Sequence, residues 1–256
     1  MSDDLPPPPI ALVVPAAGLG RRMGNRRKPF LELAGKPLLF HALDRFRSFR
    51  DRIVQTLLVL HAEDIPAARR TWGERLEATY GVTRILPGGA RRQDSVRAAL
   101  DHVSGEAGLV VIHDGVRPFV SRRAIAASLD AAEKVGAAVV ASPVKPTIKR
   151  VADHRVVGTV DRRNLWGAQT PQVFRRSLIL GAYQAAQREG PDVTDDAQLV
   201  EHLGRPVAIV EGSDLNLKIT TAEDLRLAEA LLAAGLVPQD DDRAPCHPEN
   251  AARPPS

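Results

Sequence analysis

Cysteine is almost missing from this chain: among 256 residues there is one, Cys246. A lone thiol cannot close an internal disulfide, and no Cys/His cluster has the spacing of a zinc site. Aromatic residues are scarce at 4%, too few for the stacking platforms that single-stranded nucleic acid needs. No apolar run approaches the ~18 residues of a membrane-spanning helix. The opening MSDDLPPPP is acidic and proline-rich, the reverse of a secretory signal. A cytoplasmic protein with no membrane partner is the expectation.

What is present is ordinary for a globular protein: 44% hydrophobic and 26% charged residues. The length allows one large domain or two small ones. The formal charge of +4 favours anionic partners without choosing among phosphate metabolites, nucleic acid and membranes. The basic residues are spread along the chain, apart from a cluster at Arg21–Lys28.

Short apolar runs alternate with helical patterns. Ile10–Val14, Ile53–Leu60, Val82–Leu86, Leu109–Ile112, Ala137–Ser142 and Val207–Val210 read as strands. Leu38–Phe49, Ile65–Ala78, Asp94–Val103, Ser121–Lys134, Arg175–Arg188, Asp195–Leu203 and Ala222–Ala234 read as helices, with Ser121 a candidate N-cap. Most strands are uniformly apolar, which predicts an α/β fold with a mostly parallel sheet covered on both faces. Ligands of such sheets bind beyond the carboxyl ends of the strands. Residues 143–174 break the pattern; Thr147–Val151 and Val156–Asp161 predict a hairpin or protruding arm, about residues 146–168. One domain over 10–236 is expected, between a disordered lead at 1–9 and a disordered tail at 237–256.

After the first strand comes Pro15-Ala-Ala-Gly-Leu-Gly-Arg-Arg-Met-Gly24. The dinucleotide fingerprint fails because Met23 holds its third glycine position, and no Gly-Lys-Ser/Thr closes a P-loop. Gly18 and Gly20 still let backbone amides approach an anion closely, and Arg21, Arg22, Arg26, Arg27 and Lys28 follow at once. The turn suits a triphosphate; the bland alternative is a tight strand–helix turn beside a solvated basic face.

This loop resembles the signature of nucleotide-sugar pyrophosphorylases and related nucleotidyltransferases. Five further segments fall in order: Gly88-Gly-Ala-Arg-Arg-Gln-Asp-Ser-Val96, His113-Asp-Gly-Val-Arg-Pro118, Thr159–Arg162 with Leu165–Gln172, Thr194-Asp-Asp196, and Asn216-Leu-Lys-Ile-Thr220. Together they resemble the methylerythritol phosphate cytidylyltransferases of the non-mevalonate isoprenoid pathway over about residues 10–235. The resemblance implies a Rossmann-like nucleotidyltransferase fold and transfer of CMP from CTP to 2-C-methyl-D-erythritol 4-phosphate, with Mg²⁺ as cofactor and a homodimer formed through the arm. It implies that Arg22, Lys28, Arg162 and Lys218 are catalytic, and that Ala16, Ala17, Gly18, Gly20, Gly89, Arg92 and Ser95 bind the nucleotide. Asp114, Arg117, Thr147, Thr170 and Thr194 would contact the acceptor, Asp114 being also the candidate Mg²⁺ ligand. Pro29 and Gly115 stand where this family more usually has glutamine and alanine.

The residues also permit plainer roles. Asp114 could cap a turn, His113 could bond locally, and Trp166 could be a packing anchor for the arm. Arg162 could pair with Asp161 or Asp196, Asp195-Asp196 could start a helix, and Lys218 could be a solvated edge lysine. The rival functions are a ribitol-5-phosphate cytidylyltransferase, another sugar-phosphate nucleotidyltransferase, and a basic nucleic-acid-binding protein. The last would show steep salt dependence and no saturable CTP site.

Overall fold

In the computed structural model, which describes residues 6–20, 26–27, 30–189 and 193–238, the apolar run Ile10–Pro15 becomes strand β1, with all six residues buried. Two short ribbons follow, β2–β3 (Leu19–Gly20 with Arg26–Arg27) and β4–β5 (Glu32–Leu33 with Lys36–Pro37). The chain continues through α1 (Leu38–Asp44), β6 (Ile53–Leu60), α2 (Ile65–Tyr80), β7 (Val82–Pro87), α3 (Arg92–Leu100) and β8 (Leu109–Ile112). Then come α4 (Arg122–Val135), β9 (Ala137–Pro143), β10 (Ile148–Ala152), β11 (Arg155–Val160), β12 (Trp166–Arg175), α5 (Arg176–Glu189), α6 (Ala197–His202), β13 (Ala208–Glu211) and α7 (Ala222–Ala233).

Seven strands form one sheet in the order β13-β9-β12-β8-β1-β6-β7. β12 runs antiparallel to both neighbours, β8 and β9, and the other pairings are parallel. Successive strand side chains point to opposite faces, so β1 serves two cores. Ile10, Leu12 and Val14 pack with Leu39, Phe40 and Leu43 of α1, Leu76 of α2 and Leu129 of α4. Ala11 and Val13 pack with Val96 and Leu100 of α3 and Ile179 and Tyr183 of α5. Each large apolar side chain buried this way contributes about 1.5–3 kcal/mol, so cover on both faces holds the sheet. This is the α/β architecture expected from the uniformly apolar strands.

Helix ends follow local chemistry. Ser121 Oγ accepts the Ala124 amide at 3.1 Å, as an N-cap should. Thr221 and Asp224 form a capping box on α7. Gly81 and Gly136 terminate α2 and α4 with φ of +61° and +103°, a conformation that costs glycine nothing.

The structure corrects several expectations. Leu38–Phe49 is not one helix: α1 stops at Asp44, and Arg47–Arg52 winds as a 3₁₀ turn. Residues 166–175 form a central strand where none was expected. Pro171 and Gly167 argue against a central strand, but pairing with β9 is interrupted between Ala168 and Gln172, so Pro171 sits where the ladder is broken. Trp166 is 39% exposed rather than a packed anchor. The expected hairpin is present, β10 pairing antiparallel with β11. Pro8 and Pro9, expected within a disordered lead, are held in place: the Pro9 carbonyl accepts the Gly108 and Leu109 amides and the Pro8 carbonyl accepts Arg52. Residues 1–5 and 239–256, with Cys246, lie outside the described residues.

Candidate active site

A cleft of about 680 Å³ opens at the carboxyl ends of β1, β6, β7 and β8, where a sheet of this kind places its ligand. Each strand delivers a different wall. β1 ends in Pro15, and Ala16, Ala17 and Gly18 follow as one lip. β7 ends in the turn Gly88–Arg91, which leads into α3. Its two glycines are packed too tightly for side chains: a Cβ on Gly88 would lie 2.2 Å from Ala17 Cβ, and one on Gly89 2.4 Å from Asp94 Cβ. Ser95 Oγ holds the turn by accepting the Gly89 amide and donating to the Arg91 carbonyl, each at 3.2 Å.

β8 ends at the His113–Arg117 turn, which carries Asp114 into the cleft. Asp114 is 4% exposed. Its Oδ1 accepts Arg92 Nε at 2.9 Å, its Oδ2 pairs with Lys218 Nζ at 2.7 Å, and Arg117 Nε lies 3.9 Å from Oδ2. Burial alone would raise this carboxyl's pKa, but Arg92, Lys218 and Arg117 outweigh burial and hold it well below the usual carboxylate range. The same carboxylate, joined by Asp196, raises Arg92 above its ordinary value despite burial. Burial lowers Arg117, partly opposed by Asp114.

The turn itself is fixed from behind. Thr170 Oγ1 accepts the Asp114 amide at 3.1 Å, so its own hydrogen is donated to His113 Nδ1, also at 3.1 Å. That leaves His113 as the Nε2–H tautomer, donating to the Arg117 carbonyl at 3.0 Å. His113 is fully buried, with Phe46 edge-on at 5.0 Å. Burial depresses its pKa to about 4, so it is neutral at physiological pH. Arg117 donates to the Asn216 carbonyl, and Asn216 Nδ2 in turn donates to Gln169 Oε1 and the Thr170 carbonyl. The break in β12 thus ties the Lys218 loop to the Asp114 turn.

Of the residues expected at the site, Ala16, Ala17, Gly18, Gly89, Arg92, Ser95, Asp114 and Lys218 line one cleft. Thr170 and Arg117 sit beneath it, holding Asp114. Thr147, Arg162 and Thr194 are exposed and line none of it. Arg162 makes neither pairing open to it, since Asp161 binds Arg163 and Asp196 binds Arg92. Gly20 belongs to β2, and Arg22 and Lys28 lie outside the described residues. Lys218 is not an edge-strand lysine but the partner of Asp114. His61 and Ala62, which lie in no sequence motif, also line the cleft, as does Thr220, the last residue of the Asn216–Thr220 segment. His61 follows the end of β6, so the strand-end rule that located Asp114 would have found it.

The donor set bears on Mg²⁺. Among the described residues no group of three His, Cys, Asp or Glu could hold a metal. Mg²⁺ wants near-octahedral oxygens, and both oxygens of Asp114 are already engaged by cations. Asp114 as it stands does not fit a metal-ligand role; the cluster of Arg92, Arg117 and Lys218 fits an anion.

Known proteins resemble this chain in sequence and fold. The family model described as 2-C-methyl-D-erythritol 4-phosphate cytidylyltransferase matches residues 10–234. The protein of that name from Syntrophus aciditrophicus is 44% identical over 230 residues, 88% of this chain and 96% of its own. That from Halalkalibacterium halodurans is 45% identical over 227 residues, 87% of this chain and 96% of its own. The crystal structure of the enzyme of that name from Thermus thermophilus has a TM-score of 0.72 and 38% identity, covering 88% of this chain and 99% of that one.

Proposed function

This chain belongs to the 2-C-methyl-D-erythritol 4-phosphate cytidylyltransferase family, and on that premise we propose what each part of its cleft does in the reaction. The enzyme transfers CMP from CTP to 2-C-methyl-D-erythritol 4-phosphate, releasing pyrophosphate, in isoprenoid precursor synthesis. A phosphate oxygen of the acceptor forms a bond to the α-phosphorus of CTP as the bond from that phosphorus to the β-phosphate oxygen breaks. The attacking oxygen is already anionic, so no protein nucleophile is needed. The task is to hold two mutually repelling anions in line and offset their charge.

In our reading the lip Ala16–Gly18 and the Gly88–Gly89 turn with Ser95 receive the cytidine, where small residues leave backbone groups to read the base. Lys218 gathers the phosphates together with Arg22 and Lys28 of the glycine-rich loop, while Arg92 and Arg117 hold Asp114. Asp114 accepts a hydrogen bond from an acceptor hydroxyl once an incoming phosphate draws Lys218 away. Mg²⁺ remains the proposed cofactor, and Asp114, already engaged by Arg92 and Lys218, would not be its ligand. Thr147, Arg162 and Thr194 are proposed to serve the site of a second copy. The hairpin's exposed Val151, Val156 and Val157 support a homodimer joined through that arm. Among the described residues no helix is long and apolar enough to cross a membrane, and cytoplasmic residence is proposed.

The observation that carries these roles is one buried carboxylate between Arg92 and Lys218 at the mouth of a strand-end cleft. The test is pyrophosphate release with CTP and Mg²⁺, comparing methylerythritol phosphate with ribitol 5-phosphate, in the wild type and in Asp114→Asn and Lys218→Ala. Turnover with the first acceptor alone, lost in both variants, is expected. Near-wild-type turnover in either variant would remove the role given to that residue.

A further inference from the structure

Behind the cleft lie Asp196, Tyr183 and Gln172, a polar cluster that lines none of it. Arg92, at the start of α3, is gripped from two sides. Its Nε donates to Asp114 in the cleft at 2.9 Å, and its NH1 donates to Asp196 Oδ2 at 2.7 Å. Asp196 is 1% exposed and is fixed at three points. Tyr183 of α5 donates its hydroxyl to Oδ1 at 2.6 Å, and Gln172 Oε1 on β12 accepts the Asp196 and Ala197 amides at 3.0 and 2.9 Å. Gln172 is oriented in turn by Asp195, which accepts its Nε2 at 3.0 Å. Burial, and then the Asp196 charge, push the Tyr183 hydroxyl well above its ordinary pKa, so it stays a donor.

A mere counterion for Arg92 would need none of this. Asp114 alone supplies one charge, and burying a second carboxylate is costly unless it is paired and hydrogen-bonded. The third guanidinium nitrogen, NH2, is buried without a hydrogen-bond partner among the described residues. The guanidinium is therefore held where the two carboxylates place it, not where its own bonding would be complete. Charge makes the same point. Arg92, Arg117 and Lys218 face Asp114 and Asp196, a local balance of +1. Without the Asp196 charge it would be +2, all directed at Asp114.

We propose that Asp196, set by Tyr183 and Gln172, is a positioning residue that acts through Arg92 to hold the Asp114 carboxylate in register for the acceptor and to keep it from being over-neutralised. This rests on the reading of the cleft given above. Removing the Asp196 charge lets Arg92 close fully on Asp114, so the acceptor hydroxyl loses its partner while the phosphate-binding cations remain. The loss should fall on kcat and on the acceptor KM, and not on the CTP KM.

A double-mutant cycle tests it, using Asp196→Asn, Arg92→Gln and the pair together in the full chain, with kcat and both KM values measured and folding followed by circular dichroism. Asp196→Asn should lower kcat/KM for the acceptor roughly 10- to 100-fold, as small misplacements in a site do, with the CTP KM within about threefold. In the Arg92→Gln background it should add almost nothing, because the route runs through Arg92. Additive losses, or a loss shared equally by both substrates, would overturn the proposal and leave Asp196 structural. If Asp196→Asn does not fold, Tyr183→Phe keeps the ring and the charge and is run through the same cycle, where a non-additive loss supports the proposal and an additive one overturns it. A wild type that turns over neither substrate would count against the function itself, whereas an active wild type with an additive cycle counts only against this inference.

Discussion

Lowering the pH from about 7 to about 4.5 should weaken this fold mainly through His113, ahead of most of the carboxylate contribution. His113 is buried and neutral, with Thr170 donating to Nδ1 and Nε2–H donating to the Arg117 carbonyl. Its pKa falls from 6.5 to about 4 in the folded chain. In that window the unfolded chain binds a proton that the native chain refuses, so stability is complete above the unfolded value and drops as pH falls toward the folded one. The gap corresponds to about 3 kcal/mol at about 1.4 kcal/mol per pH unit, a large share of a typical domain's 5–15 kcal/mol. His41, whose pKa burial also lowers, adds a smaller slope of the same sign. Asp114 and Asp94 have depressed values, so their contribution is lost only at lower pH. Urea unfolding at several pH values, in the wild type and in His113→Gln, separates these sources. Most of the slope should vanish in the variant. A wild-type stability that is flat across the window, or an equal slope in both proteins, would refute the assignment.

Three further outcomes concern the cleft and one the core. Lys218→Ala should lower kcat/KM about 10²- to 10³-fold, the scale of losing one aligned charge donor. Its melting temperature should stay within a few degrees, because that side chain is 40% exposed; a cooperative loss of the fold would make it structural instead. Gly88→Ala should abolish saturable CTP binding, since its Cβ would overlap Ala17 and lie 2.8 Å from Ser95 Oγ. Gly115→Ala meets Ala16 Cβ at 3.0 Å and Leu39 and Val14 at 3.3 Å, so its CTP KM should change less than about threefold and its stability by about 1 kcal/mol. Phe174→Ala, at a fully buried position on β12, should cost about 3–5 kcal/mol in urea unfolding; a cost under about 1 kcal/mol would contradict a central β12.

Local order determined much of this protein. Uniformly apolar runs such as Ile53–Leu60 read as strands covered on both faces, and alternation with helices makes their sheet mostly parallel. From that alone the ligand is expected beyond Val14, Leu60, Leu86 and Ile112, next to where the cleft lies. Glycines followed by arginines named an anion, and five more segments in order named the family. Tertiary structure decided what pairs across long separations. β12 inserts antiparallel between β8 and β9 because its buried face suits the core there, while Pro171 hides it from a pattern search. Asp196 looked like a helix start, yet Arg92, 104 residues earlier, makes it the back wall of the site. Thr170 looked like a substrate contact, yet its hydroxyl is engaged by the Asp114 amide and His113. Periodicity is a property of neighbours along the chain. The partners of a buried charge are chosen by which loops the sheet brings together, and only the folded chain fixes that.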